Sequence, residues 1–168
     1  ELNDLGVFSR GKGISKNEVV KEGFPAIRYA EIYTQYDIVI RKFISFVNSN
    51  SAEASKKLTK NDIIFAGSGE TIEEIGKSVA FVDEFDAYVG GDAVVFSPVK
   101  DVDSMFMTAQ LNGDLCRKQL RKYGQGSSVM HIYSSELKKL TVLLPPLPEQ
   151  EKIASILTSV DEVIEKTE

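Results

Sequence analysis

The sequence predicts an α+β fold, a mixed-sheet globular domain followed by a C-terminal coiled-coil-type helix. Three observations predict it. Short runs rich in β-branched and aromatic residues are punctuated by glycines, as at Gly67, Gly69 and Gly90-Gly91. A helical pattern follows near Ser104. Pro145-Pro146-Leu147-Pro148 then precedes an apolar stripe at helical spacing. The boundary is placed at that break. Residues 1–144 form the globular domain, and residues 145–168 the proline break and the start of the helix.

In chain order, Gly6 to Gly23 carries four glycines among basic residues and reads as loop and turn. Tyr36–Val47 is predicted as one or two strands from its β-branched and aromatic content. Asn48–Lys60 is polar connection with a helical turn. Asn61–Ala66 is a short buried strand running into Gly67-Ser68-Gly69. Further short strands are expected near Ser78–Val82, Ala87–Val89 and Ala93–Ser97. Helix follows from Ser104, capped by Asp103 or Ser104, interrupted by Gly113 and continued over Leu115–Tyr123. Ser134–Leu137 suggests a short helical turn and Thr141–Leu144 a last strand. Pro148 suits the first helical position, with Glu149 and Glu151 in the first turn. Beyond it Ile153, Ile156, Val160 and Val163 recur at heptad-like spacing, with Leu157 and Ile164 alongside. A helix packed on its own domain would show the same stripe. Its position after a triple-proline break favours an arm that pairs with another helix.

Composition narrows the function. The chain has 168 residues, one ordinary domain. Its 42% hydrophobic and 27% charged content argues against disorder. The longest apolar runs fall far short of the roughly 18 residues a membrane span needs. No basic-then-apolar leader opens the sequence, so a cytoplasmic location is expected. Cys116 is the single cysteine, which excludes an internal disulfide and any multi-cysteine zinc site. On its helix it reads as a small buried residue. His131 is the single histidine, which excludes centres built on several imidazoles, and no metal site is expected. The net charge of −5 excludes a globally basic nucleic-acid binder but leaves room for a local basic face.

Two constellations invite chemistry. Gly67-Ser68-Gly69 through Gly76-Lys77-Ser78 resembles a phosphate-binding loop only superficially. Thr71 stands where the loop glycine belongs, and Glu73 and Glu74 would repel phosphate. Strand rather than helix is expected after Ser78. A glycine-supported turn and a recognition loop exposing Ser68, Glu70, Thr71 and Lys77 are the two remaining readings. The second constellation runs from Leu115 to Lys139, with six Lys or Arg against the single acid Glu136. A solvated basic face is the plain reading of such a run. The embedded Gly124-Gln125-Gly126-Ser127-Ser128 adds an amide and hydroxyls suited to phosphate and base-edge contact. Asp83, Glu84, Asp86 and Asp92 lack calcium-loop spacing and read as strand-end and turn residues.

Taken together, the chain resembles the specificity (S) subunit of type I restriction–modification enzymes along nearly its whole length. The resemblance rests on Leu5-Gly6 with Gly11-Lys12-Gly13-Ile14-Ser15-Lys16, on Gly23-Phe24-Pro25-Ala26-Ile27-Arg28-Tyr29, and on Asn61 through Thr71. It continues through Gly90-Gly91-Asp92 and Gly124–Ser128. Its most specific part is Leu144-Pro145-Pro146-Leu147-Pro148-Glu149-Gln150-Glu151-Lys152-Ile153-Ala154.

The resemblance implies a non-catalytic target recognition domain that reads one half of a bipartite site in double-stranded DNA. Its helix would pair with a second recognition domain's helix or with a homodimer partner. It would position methyltransferase (M) subunits, which carry S-adenosylmethionine and methylate adenine N6. A restriction (R) subunit using ATP and Mg2+ would join the full assembly. In keeping with this, the chain has no Asn-Pro-Pro-Tyr or Asp-Pro-Pro-Tyr motif for adenine methylation. One departure stands out: a usual S subunit has two such domains, so this is a fragment or a half-subunit. A helical-arm adaptor without DNA recognition is the alternative. The expected DNA contacts are Lys12, Lys16, Arg28, Tyr29, Ser68, Thr71, Lys77, Lys122, Gln125, Ser127, Ser128 and His131. The expected helix contacts are Ile153, Ile156, Leu157, Val160, Val163 and Ile164.

Overall fold

Ile63–Ala66 is apolar at every position because the strand it forms is covered on both faces. Its side chains divide by parity, with Ile63 and Phe65 in one core and Ile64 and Ala66 in another. A computed structural model describes residues 1–123 and 130–165, the last five as backbone. Among the described residues there are eleven strands, six α-helices and two short 3-10 helices. The first half holds β1 (Gly6–Arg10), β2 (Val19–Val20), β3 (Phe24–Ile27), α1 (Tyr29–Thr34), β4 (Ser45–Val47), α2 (Ser49–Ala54), β5 (Lys56–Lys57) and β6 (Ile63–Ala66). Then come β7 (Ser68–Gly69), β8 (Ser78–Ala80), β9 (Tyr88–Val89), β10 (Ala93–Pro98), α3 (Ser104–Asn112) and α4 (Asp114–Leu120). The chain ends with β11 (Met130–His131), α5 (Ser134–Leu137) and α6 (Leu147–Glu165).

The strands form a mixed set of sheets. An antiparallel sheet runs β1-β10-β6-β8, a two-stranded ribbon pairs β7 with β11, and a five-stranded sheet runs β2-β4-β3-β9-β5 with one parallel pair, β3 with β9. In β10, Val94 and Phe96 face a core with Met107 and Leu111 of α3 and Cys116 and Leu120 of α4. Ala93 and Val95 face the opposite core with Ile32 and Tyr36. Cys116 is buried, as its helical position suggested, and burial pushes its thiol pKa up. Asp103 caps α3 as expected, its Oδ1 accepting the Phe106 amide at 2.8 Å.

Three expectations need correction. Gly6–Gly23 contains β1, in register with β10 from Gly6↔Pro98 to Arg10↔Val94. Its glycines mark close approach, since a Cβ on Gly6 would meet the Phe96 ring and the Ser97 carbonyl. Tyr36–Val47 is strand only over Ser45–Val47, with one bridge from Val39 to Ala80. Its Tyr36, Ile40 and Phe43 side chains serve instead as core filling. Thr141–Leu144 is not a strand, because glutamine side chains take its backbone groups. Gln119 bonds both the amide and the carbonyl of Thr141, and Gln110 both of those of Leu143.

One contact ties the end of β1 to the start of β10. The Gly11 amide donates to the Ala93 carbonyl at 2.9 Å, and a Cβ at Gly11 would lie 1.8 Å from the Gly90 carbonyl oxygen. Only glycine allows that crossing. Gly11→Ala should destabilise the fold by about 2–3 kcal/mol in urea denaturation. At Gly91, by contrast, a Cβ meets nothing nearer than the Gly13 oxygen at 3.6 Å. Gly91→Ala should stay within about 0.5 kcal/mol of the parent.

Candidate nucleic-acid interface

The crossing gathers three loops at one end of the antiparallel sheet. Gly67 donates its amide to the Asp92 carbonyl at 2.8 Å and accepts from Ile132 at 2.9 Å, so the β6–β7 and β11–α5 connections meet the β9–β10 turn there. A Cβ on Gly67 would lie 2.7 Å from the Asp92 oxygen, which explains the glycine. Asp92 then lines two concavities. One, of about 360 Å³, holds Arg10, Ser68, His131 and Tyr133; the other, of about 350 Å³, holds Lys16, Arg28 and Tyr29.

In the first, β7 pairs with β11 so that Ser68 faces His131. Ser68 Oγ lies 2.9 Å from His131 Nδ1. Ser68 is buried, whereas the sequence reading expected it exposed. Tyr133, half-exposed, stacks on the His131 ring with centroids 6.2 Å apart and planes 18° from parallel. Arg10 pairs with Asp92 at 3.2 Å, both well exposed. Such a pair contributes about 0–1 kcal/mol, so an arriving phosphate competes with Asp92 at little cost.

In the second concavity, Arg28 stands just before α1, its amide held at 3.1 Å by the carboxylate of buried Glu31. The Tyr29 and Tyr33 rings lie 6.4 Å apart and tilted by 51°. Burial, then the charge of Glu74, raises the Tyr33 hydroxyl pKa. Lys12 and Lys16 are exposed.

The 67–77 loop does not cradle phosphate. Its own Glu74 carboxylate accepts the amides of Glu70 at 2.6 Å and Thr71 at 3.1 Å, filling the positions an anion would take. Ser78 then opens β8, not a helix. Thr71 is exposed, but Lys77 is half-buried, donating to the Tyr36 carbonyl at 2.7 Å, and burial lowers its pKa.

The basic run of α4 and the turn after it divides by direction. Arg117 points inward and donates to the carbonyls of Ile72, Glu73 and Ile75 at 2.7 to 2.9 Å. Burial pulls its pKa down. Arg121 pairs loosely with Glu73 at 3.7 Å, and Lys122 is exposed. Gln125, Ser127 and Ser128 lie outside the described residues.

Sequence reasoning missed Arg10 and Tyr133. The alternation of Gly-Val-Phe-Ser-Arg would have put Arg10 at a strand end. Tyr133, two residues after His131, shares its side by the period of a strand.

Among known proteins, the family model described as type I restriction modification DNA specificity domain matches residues 1–168. The chain is 28% identical over 120 residues to the specificity subunit of the EcoKI type I restriction enzyme of Escherichia coli K12, covering 69% of this chain and 26% of that one. It is 29% identical over 171 aligned positions to a putative type I restriction enzyme specificity subunit of Haemophilus influenzae, covering 94% of this chain and 38% of the relative. The S subunit of a type I restriction–modification system from M. genitalium has the same fold. Its TM-score is 0.66 at 18% identity, over 98% of this chain and 39% of that one. The chain therefore spans about a quarter to two fifths of the length of these proteins.

The inward Arg117 generates a prediction that separates support from recognition. Arg117→Ala should destabilise the chain by about 2–3 kcal/mol and speed amide exchange across residues 70–76, because three carbonyls lose a charged donor. Arg121→Ala, breaking only an exposed pair, should cost under about 0.5 kcal/mol in the same denaturation assay.

Proposed function

The chain belongs to the type I restriction modification DNA specificity domain family, and from that membership we propose that it reads one half of a bipartite site in double-stranded DNA. The observation that carries this reading is the face around Asp92, where Arg10, Lys16 and Arg28 surround two concavities also lined by Tyr29, Tyr133 and the Ser68–His131 pair. Cations at the rim suit phosphates, whereas the histidine and tyrosines between them suit base edges and base faces. Lys12, Thr71 and Lys122 are exposed and extend the set of contacts, with Gln125, Ser127 and Ser128 assigned to base edges from sequence.

In this reading the domain has no catalysis of its own. It positions M subunits that carry S-adenosylmethionine and methylate adenine N6, and in the full assembly an R subunit that uses ATP and Mg2+. The setting is cytoplasmic. Among the described residues, no helix is long and apolar enough to cross a membrane.

The helix α6 is proposed to pair with a second helix, from another recognition domain or a second copy. Its apolar stripe divides. Ala154 is buried and Ile153 and Leu157 are partly buried on the domain, whereas Ile156 and Val160 are 56% and 51% exposed. Val163 and Ile164 lie in the final helical residues, whose side chains are not described. Pairing would bury side chains worth roughly 1.5–3 kcal/mol each before ordering costs.

DNA recognition is tested by binding cognate and scrambled duplexes across a salt series, with the assembled methyltransferase containing this domain. Arg28→Ala and Lys122→Ala should weaken binding to all sequences and each lower the salt slope by about one unit. A helical-arm adaptor predicts no change in either variant, and that result would reject the reading. For the helix, Ile156→Asp with Val160→Asp should reduce assembly with partner subunits by about tenfold or more. The melting temperature of this chain should stay unchanged, since both side chains are more than half exposed.

A further inference from the structure

The Pro-Glu-Gln motif contains a fully buried polar side chain in the first turn of α6. Gln150 is 0% exposed, and every hydrogen-bonding group of its carboxamide is engaged. Its Nε2 donates to the carbonyls of Asp101 at 3.1 Å and Pro145 at 2.7 Å, and its Oε1 accepts the amide of Asp103 at 3.0 Å. Asp103 is itself the cap of α3. A single side chain thus joins the first turn of α6 to the end of the β10–α3 turn and to the proline break.

We propose that Gln150 is a positioning residue for DNA recognition, locking the direction in which α6 leaves the domain and thereby the spacing of half-sites the assembly accepts. The inference rests on the DNA reading above. Apolar contacts such as those of Ile153 and Leu157 are non-directional and tolerate sliding. A three-bonded carboxamide has one geometry, and leaving it unpairs a side chain that is itself buried. The lever is long enough to matter. The 19 residues of α6 span about 28 Å. A 10° change at its root would move its far end by about 5 Å, which exceeds the rise of roughly 3.4 Å per base pair. A loose joint would blur half-site spacing by a base pair or more.

Two measurements test this. In this chain, spin labels at Glu53→Cys and Val160→Cys report the distance from domain to helix. Buried Cys116 with its raised thiol pKa is slow to label. The parent should give one narrow distribution, and Gln150→Glu and Gln150→Leu should each at least double its width while the domain still melts cooperatively. Ile153→Ala with Leu157→Ala should leave it narrow. A broad parent distribution overturns the proposal. So does one unmoved by either Gln150 change, or one broadened equally by the apolar pair. If both Gln150 variants fail to fold, the parent width and the apolar pair decide.

The second measurement uses the assembled methyltransferase and duplexes whose half-sites stand at the cognate spacing or one base pair either side. Gln150→Glu should reduce the preference for the cognate spacing by about tenfold, as expected for one or two lost hydrogen bonds, without changing discrimination against a substituted base. A spacing preference unmoved by Gln150→Glu overturns this inference alone. A parent assembly with no sequence preference overturns the DNA reading itself.

Discussion

Strand β10 is hydrogen-bonded on both edges, to β1 and to β6, and both functional ends of the chain hang from it. Its residues Ala93–Phe96 are buried and alternate between two cores, so its position is fixed from all four sides. At its start, the Gly90–Asp92 turn meets the segments next to Arg10, Ser68 and His131. At its end, Asp101 and Asp103 hold Gln150. Six residues of strand separate the two by about 20 Å. A change that loosens β10 would disturb the proposed DNA face and the helix joint together, whereas a change at either end would stay local.

The segment 141–150 obeys a second constraint, the need to satisfy backbone groups in a stretch too proline-rich to pair as strand. Three glutamines meet it. Gln119 serves Thr141, Gln110 serves Leu143 and Gln150 serves Pro145, two residues apart each time, as a neighbouring strand would. A backbone ladder would have drawn this segment into the sheet. Side-chain amides instead hold it against helices α3, α4 and α6, and leave an apolar groove of about 690 Å³ between α6 and the domain, lined by Phe106, Leu115 and Leu157.

What was legible in the sequence follows from which signals are local. The run Ile63–Ala66 reads as buried strand because both faces are apolar, and Asp103 reads as a cap because capping is decided within four residues. The glycine motifs were visible, but not that Gly11 crosses Gly90, since a close approach between distant segments leaves no periodicity. Ser68 and His131 were both singled out as DNA contacts, yet their pairing needed the β7–β11 register across 63 positions. Arg117 and Lys122 belong to one basic run and cannot be told apart by composition. Helix α4 directs the first beneath the 72–75 carbonyls, whereas the second follows the helix end in an exposed turn. The apolar residues of 36–47 misled for the same reason: they fill a core without forming a ladder, and side-chain type reports burial more directly than backbone pairing.

The net charge of −5 bears on the proposal that this domain binds DNA, a polyanion. Several acids are answered locally, Asp86 by Lys57 and Glu84 by Lys60, on the connection between β8 and β9. Near the proposed face, Glu31 is buried and engaged by the Ser45 hydroxyl and the Arg28 amide, and Asp92 is paired with Arg10. Local cations therefore act there in spite of the overall sign. Long-range attraction to DNA remains weak for the domain by itself, because potentials beyond about 8–10 Å reflect the whole charge distribution. Under the proposed function, recognition would depend on short-range fit at the face and on a second site held at a fixed distance, which raises effective concentration without adding charge. The joint proposed at Gln150 and the acidic charge would then meet one requirement of that reading: a single half-site should bind weakly, and two correctly spaced half-sites tightly.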